Sequence, residues 1–139
     1  MAQLVFRKGY RLGYQIRVSI VFYQKTMHDK FLLSLKEQLG YGYIRKRPDG
    51  MSEYTTVGLR EVADVLTLLY PFLRLKKLLA RDVLALIRRH PPARSMTIAR
   101  LLELCRLVDK TAEFNYSKKR TNRTATVVAF LQRTGKTSP

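Results

Sequence analysis

Residues 13–23 read Gly-Tyr-Gln-Ile-Arg-Val-Ser-Ile-Val-Phe-Tyr. Ile16, Val18, Ile20 and Phe22 fall on one side, and Gln15, Arg17, Ser19 and Val21 on the other. A period of two over this length predicts a strand with one buried face and excludes a helix there. Residues 2–7 give a shorter strand with Gln3, Val5 and Arg7 on one side. Lys8-Gly9-Tyr10 turns between the two, so residues 2–23 are expected to form a hairpin. Thr26 is expected to cap a helix over 27–39, where Phe31, Leu32, Leu35 and Leu39 recur at helical spacing and Gly40 stops it. Tyr41 to Arg47 reads as a third strand and Glu53 to Val57 as a fourth. Pro48-Asp49-Gly50 between them is a turn, with proline setting φ and glycine taking the left-handed position.

The remainder is helical in pattern. Leu59, Val62, Val65, Leu66 and Leu69 form one stripe over 59–69. Pro71 suits the first turn of a further helix running to about Arg89, which Pro91-Pro92 ends. Residues 97–112 and 122–133 complete the set. The order β-β-α-β-β-α-α-α-α predicts an α+β architecture. With 139 residues and 46% hydrophobic content, one domain over 1–139 is expected. Val62 to Leu75 is interrupted by Asp64, Pro71 and Arg74 and is too short for a bilayer span, so no membrane partner is expected. A single cysteine, Cys105, excludes a disulfide scaffold and fits a reducing compartment. It lies in an apolar stripe with Leu101, Leu104 and Val108 and reads as core. His28 and His90 stand apart, which leaves no cluster for zinc. Gly135-Lys136-Thr137 lacks the rest of a nucleotide-binding glycine loop.

Charge narrows the partner. Lys and Arg number 27 against 10 Asp and Glu, a formal net charge of +17. On a compact chain this excess predicts a polyanion. The polar strand faces carry Gln3, Arg7, Gln15, Arg17 and Ser19 on the first hairpin, and Arg45, Arg47, Glu53 and Thr55 on the second. These side-chain types read base edges: Arg reads guanine, Gln reads adenine, Glu accepts from cytosine. A two-stranded ribbon is narrow enough for a major groove. The segment 115–124 is a second basic cluster with interleaved hydroxyls, suited to phosphates. Arg74, Lys76, Lys77 and Arg81 form a third, where stems lying along the helix are the plainer reading.

Order and residues together resemble a known family. The landmarks are Gln24-Lys25-Thr26 and Leu39-Gly40-Tyr41-Gly42-Tyr43, then Arg45-Lys46-Arg47 and Glu53-Tyr54. Pro71-Phe72-Leu73-Arg74-Leu75-Lys76-Lys77 follows and is the most specific. Val108-Asp109, Asn115, Ser117-Lys118 and Thr137-Ser138-Pro139 complete them. The chain resembles the single-motif, homodimer-forming LAGLIDADG homing endonucleases encoded in organellar introns of green algae, through most of its length.

The resemblance implies a LAGLIDADG endonuclease-like β-β-α-β-β-α core with C-terminal helices, whose sheet straddles double-stranded DNA. By position it implies DNA contacts from Gln3, Val5, Arg7, Tyr10, Gln15, Arg17, Ser19, Val21, Arg45, Arg47, Glu53 and Thr55. Ser117, Lys118 and Thr121 match the backbone-contacting loop. Lys76 matches a basic residue near the scissile phosphate, Gln24 a polar residue ordering active-site waters, and His28 stands at the site's edge. A Mg²⁺ cofactor and a chloroplast or mitochondrial location are implied in the same way.

The family's motif helix, ending in Gly-Asp-Gly or similar, would precede Ala2. It is expected to be missing, so the domain is expected to be N-terminally truncated and without the aspartate that holds Mg²⁺. Two expectations follow. An apolar patch is left for a second copy or the missing segment to cover, and Mg²⁺ does not support cleavage by this chain alone. The competing reading is a non-catalytic RNA-binding protein, an intron maturase or ribosomal component. A third is a structural protein that binds nucleic acid without reading sequence.

Overall fold

The computed structural model describes residues 1–113 and 120–136. Strands β1 (Ala2–Phe6) and β2 (Tyr14–Lys25) pair antiparallel, with Gln3 opposite Arg17 and Val5 opposite Gln15. Strands β3 (Tyr43–Lys46) and β4 (Met51–Val57) form the second hairpin. Strand β4 also pairs antiparallel with β2, so the two hairpins fuse into one sheet of order β1-β2-β4-β3. Between the hairpins lies α1 (Lys30–Leu39), which packs on β3 and β4. Helices α2 (Leu59–Leu69), α3 (Lys77–Arg89), α4 (Ile98–Ala112) and α5 (Thr124–Arg133) follow. The described residues are therefore α+β, a four-stranded antiparallel sheet with five α-helices.

Alternation in β2 decides which side the helices cover. Tyr14, Ile16 and Val18 join Ala2 and Leu4 against Val62, Val83, Leu86, Leu101, Leu104, Val108, Val127 and Leu131. Burying a Val or Leu side chain stabilises by roughly 1.5–3 kcal/mol, so this one cluster fixes the sheet against the helices. Cys105 lies within it, as its stripe predicts.

The second hairpin turns as expected, with Gly50 at φ +81° and the Asp49 carboxylate accepting from the Met51 amide at 3.1 Å. Gly40 likewise ends α1 in the left-handed region. Three local expectations are corrected. The first hairpin's connection is longer than a Lys8-Gly9-Tyr10 turn. Two successive turns close it, Tyr10 N–H to Arg7 O at 3.1 Å and Gly13 N–H to Tyr10 O at 3.0 Å, and the positive φ falls on Gly13, not Gly9. Thr26 does not cap a helix. It opens a 3₁₀ turn (Thr26–His28) and its hydroxyl lies 3.0 Å from that of Ser52 across the sheet. Pro71 starts only a 3₁₀ turn (Tyr70–Phe72), because Leu73 is extended at ψ 141° and α3 begins at Lys77. Phe72 and Leu75 are left 82% and 99% exposed in that break.

No described helix is long and apolar enough to cross a membrane.

Candidate nucleic-acid interface

The sheet face opposite the helices carries a ladder of polar and basic groups. Antiparallel register sets Gln3 beside Arg17, Val5 beside Gln15, Val21 beside Thr55 and Tyr43, and Tyr23 beside Glu53 and Arg45. Alternate residues on a strand stand about 6.7 Å apart, close to two base-pair steps of about 3.4 Å each. Strand β2 runs from Tyr14 to Lys25, so its outer face spans roughly ten base pairs at that rise. A single strand thus carries one face along a groove. The fusion through β2 and β4 makes that face continuous between the hairpins.

Arg7, Gln15 and Arg17 are exposed on the first hairpin, with Gln3 beside them, and Tyr10 is half-buried in the connection. On the second hairpin the arginines are held by acids. Arg47 Nη1 donates to Glu53 Oε1 at 3.1 Å and Arg47 Nη2 lies 2.7 Å from Asp49 Oδ2, while Arg45 Nε lies 3.8 Å from Glu53 Oε2. Glu53 therefore orients two cations on the ladder. Both of its carboxylate oxygens face arginines. Ser19 and Thr55 lie on the ladder in register but are only 5% and 7% exposed, so they form its floor and do not project from it. Tyr23 and Tyr43 stand exposed on the same face. The alternation from Gln15 through Val21 extends to Tyr23 and signals it.

A second basic region borders β1. Ser117 and Lys118 lie outside the described residues, as does Asn115. Thr121 is exposed, and the chain around it is pinned at three points. Asn122 Nδ2 donates to Leu4 O at 3.0 Å, the Thr124 amide donates to Asp109 Oδ2 at 3.0 Å, and Arg120 Nη2 approaches Asp109 Oδ1 at 2.6 Å. Burial pushes the Asp109 carboxyl up. Hydrogen bonding from Thr124 and the Arg120 guanidinium outweighs it and holds the group below the usual carboxylate range. Sequence reading found Val108-Asp109 as a landmark, but nothing in the sequence marked it as the anchor of this segment.

The three positions expected at the reaction centre are not joined by hydrogen bonds. Lys76 is the exposed N-cap of α3 and borders a cavity of about 400 Å³ with Phe22, Leu66 and Leu79. Gln24 pairs in register with Ser52 at the end of β2, on the side away from Tyr23 and Glu53. His28 is exposed in the 3₁₀ turn. Among the described residues no three His, Cys, Asp or Glu side chains gather as a metal site. The acids near the ladder are taken by cations: Glu53 and Asp49 by arginines, Asp29 by Lys46 at 3.9 Å. Mg²⁺ is typically held by one or two carboxylates together with substrate phosphates and waters, and the described carboxylates near the ladder face cations already.

No family model matches the chain. It is 38% identical over 134 residues to the DNA endonuclease I-CvuI of Chlorella vulgaris, covering 96% of this chain and 82% of that protein. It is 34% identical over 131 residues to the DNA endonuclease I-CreI of Chlamydomonas reinhardtii, covering 94% and 79%. A crystal structure of the homing endonuclease I-CvuI with its target in the presence of 2 mM Ca superposes with a TM-score of 0.91, at 37% identity over 99% of this chain and 86% of that one. Another, of I-CvuI with the I-CreI target in 2 mM Mg and its DNA not cleaved, gives 0.89 at 38% identity over 96% and 84%. The archaeal intron-encoded I-Vdi141I, complexed with DNA, shares the fold with a TM-score of 0.81 at 17% identity over 95% of this chain and 85% of that one.

Proposed function

The chain belongs to the LAGLIDADG homing endonuclease family, and from that premise we propose that it binds a long double-stranded DNA site by laying the outer face of its sheet along the major groove. The observation that supports this most is the continuous polar ladder from Gln3 and Arg17 to Glu53 and Arg45. In this reading Arg7, Gln15 and Arg17 read bases from the first hairpin and Arg45, Arg47 and Glu53 from the second. Gln3, Val5, Tyr10 and Val21 supply shape and apolar contact, and Ser19 and Thr55 close the floor behind them. Ser117, Lys118 and Thr121 contact the backbone. The relatives solved with DNA give the RNA-binding alternative no support.

Hydrolysis of the site is the family's activity. We assign Lys76, Gln24 and His28 to its neighbourhood, with Lys76 supplying positive charge to a phosphate. A divalent ion would supply an activated water and charge neutralisation. A second copy of the chain, and an organellar location like that of an intron-encoded enzyme, belong to the same proposal.

The test is selection from a randomised duplex library with the purified chain, then titration of the selected duplex with and without Mg²⁺. A defined site is expected, bound in EDTA as in Mg²⁺. Arg17→Ala should lose roughly 1–3 kcal/mol of discrimination at one base pair. Failure to enrich any duplex, with preference for folded RNA, would overturn the reading.

A further inference from the structure

The connection between β1 and β2 carries outer readers, yet it hangs from an edge strand. Its residues from Arg7 to Arg11 are largely exposed, and its own two turns are its internal support. Behind it stands an aromatic triangle. Phe6 and Tyr14, a register pair of β1 and β2, have ring centroids 5.2 Å apart, and each lies near the Phe130 ring of α5, at 5.3 and 5.5 Å. These are edge-on and tilted contacts of the favourable kind. Arg7 and Gln15 directly follow Phe6 and Tyr14 in sequence. Because successive strand side chains point to opposite faces, the triangle lies on the reverse side of the sheet from the outermost reading pair.

Phe130 also touches the end of the connection. A Cβ built on Gly13 would fall 2.2 Å from Phe130 Cε1, and Gly13 has φ +82°, so only glycine lets this backbone lie on the ring. Two cations flank the ring, Arg133 at 5.7 Å and Lys136 at 5.8 Å from its centroid. Lys136 Nζ donates to Arg11 O at 2.9 Å, and the Arg11 guanidinium donates to Met96 O. The end of α5 and the residues just after it thus grip the hairpin at Phe6, Gly13 and Arg11. None of these contacts uses a group on the reading ladder.

We propose that Phe130 is a positioning residue for DNA recognition: its ring, wedged against Phe6, Gly13 and Tyr14, sets the angle at which Arg7, Tyr10 and Gln15 enter the groove. The inference rests on the groove-reading function above. It assigns α5 a part in specificity without placing any of its atoms on DNA. Removing the ring frees the hairpin to pivot about its β2 stem. Readers near the stem and on the second hairpin keep their places, because β2 stays paired with β4.

The test compares the full chain with Phe130→Leu, Phe130→Met and Phe130→Tyr, using duplexes selected by the unaltered chain and each singly substituted base pair. Phe130→Leu and Phe130→Met should lose about tenfold in discrimination, the order of one good base contact, at the base pairs that Arg7→Ala and Gln15→Ala affect. Discrimination at those affected by Arg45→Ala should stay. Phe130→Tyr, which keeps the ring, should restore it. Amide exchange gives a readout free of DNA: Tyr10 and Gly13 should exchange about tenfold faster in Phe130→Leu, as local opening is eased, with the β2–β4 amides unchanged. An even loss at every base pair, or a lowered Tm with the preference and the exchange pattern intact, would overturn the proposal. Should the unaltered chain select no duplex, groove reading itself fails and this inference with it. Should it select one that Phe130→Leu reads equally well, this inference alone falls.

Discussion

Glu53 shows how a single side chain governs the ladder. It is the only acid in register on the outer face of β4, and it faces Arg45 and Arg47 at once. Removing its charge frees both arginines to sample other rotamers and makes the face more basic. Glu53→Gln should therefore tighten binding to random duplex while lowering discrimination at the base pairs opposite the second hairpin. The ratio of Kd values for selected and singly substituted duplexes measures this, and an unchanged ratio would remove Glu53 from the recognition set. Cys105 shows the opposite case, a residue whose chemistry is silenced. Burial, with a smaller push from the Asp109 charge, raises its thiol pKa to about 12. The thiolate is the reactive form, so a disulfide reagent at pH 8 should label Cys105 only after unfolding. Rapid labelling of the native chain would contradict its place in the core.

At the scale of elements, the segment 120–124 is tied to two distant parts of the fold. Asn122 holds it to β1 and Asp109 holds it to α4. Asp109 has its folded-state pKa depressed. Its contribution is therefore present above the unfolded carboxylate value of about 3.9 and is lost as pH falls through the lower folded value. Acidification below pH ~4 should loosen the Arg120–Thr124 segment. Asp109→Asn should lower Tm at neutral pH and leave less further loss on acidification. A Tm profile for Asp109→Asn parallel to that of the unaltered chain would show that Asp109 does not set the acid limb. A similar tie governs β3. Gly42, at φ +84°, lets the backbone lie against Thr55 O, and Tyr54 donates its hydroxyl to Tyr41 O at 2.5 Å. The short edge strand that carries Arg45 is thereby fastened to β4 from its N-terminal side.

For the whole molecule, the charge of +17 acts beyond any one contact. Each phosphate neutralised by Lys or Arg releases counterions, and log Kobs falls with log salt by roughly 0.9 per phosphate. With about six to ten phosphate contacts, affinity should drop by roughly 10³–10⁵ between 50 and 200 mM salt. Titration at stepped salt concentrations checks this. A shallow slope would mean that the basic surface lies mostly away from the duplex. Phe72 and Leu75 stand exposed in the break before α3, next in sequence to Leu73 and Lys76, which line the cavity beside β2.

Strand faces, the Gly40 and Gly50 stops, the core placement of Cys105 and the polyanion preference were all set by the sequence alone. Each rests on a period of two or 3.6, on a φ that one residue type permits, or on a sum of charges, and none needs a distant partner. The family, too, was legible from short runs in order. Tertiary structure decided the rest. Only packing shows that β4 joins β2, that Ser19 and Thr55 are closed off, and that Glu53 lies between two arginines. Leu73, extended after Pro71, starts α3 late, at Lys77. Gly13 gave no turn signal that separated it from Gly9, because its need for glycine comes from a ring 117 positions along the chain. Contacts of that span depend on how helices settle on the sheet, and local pattern carries no record of it.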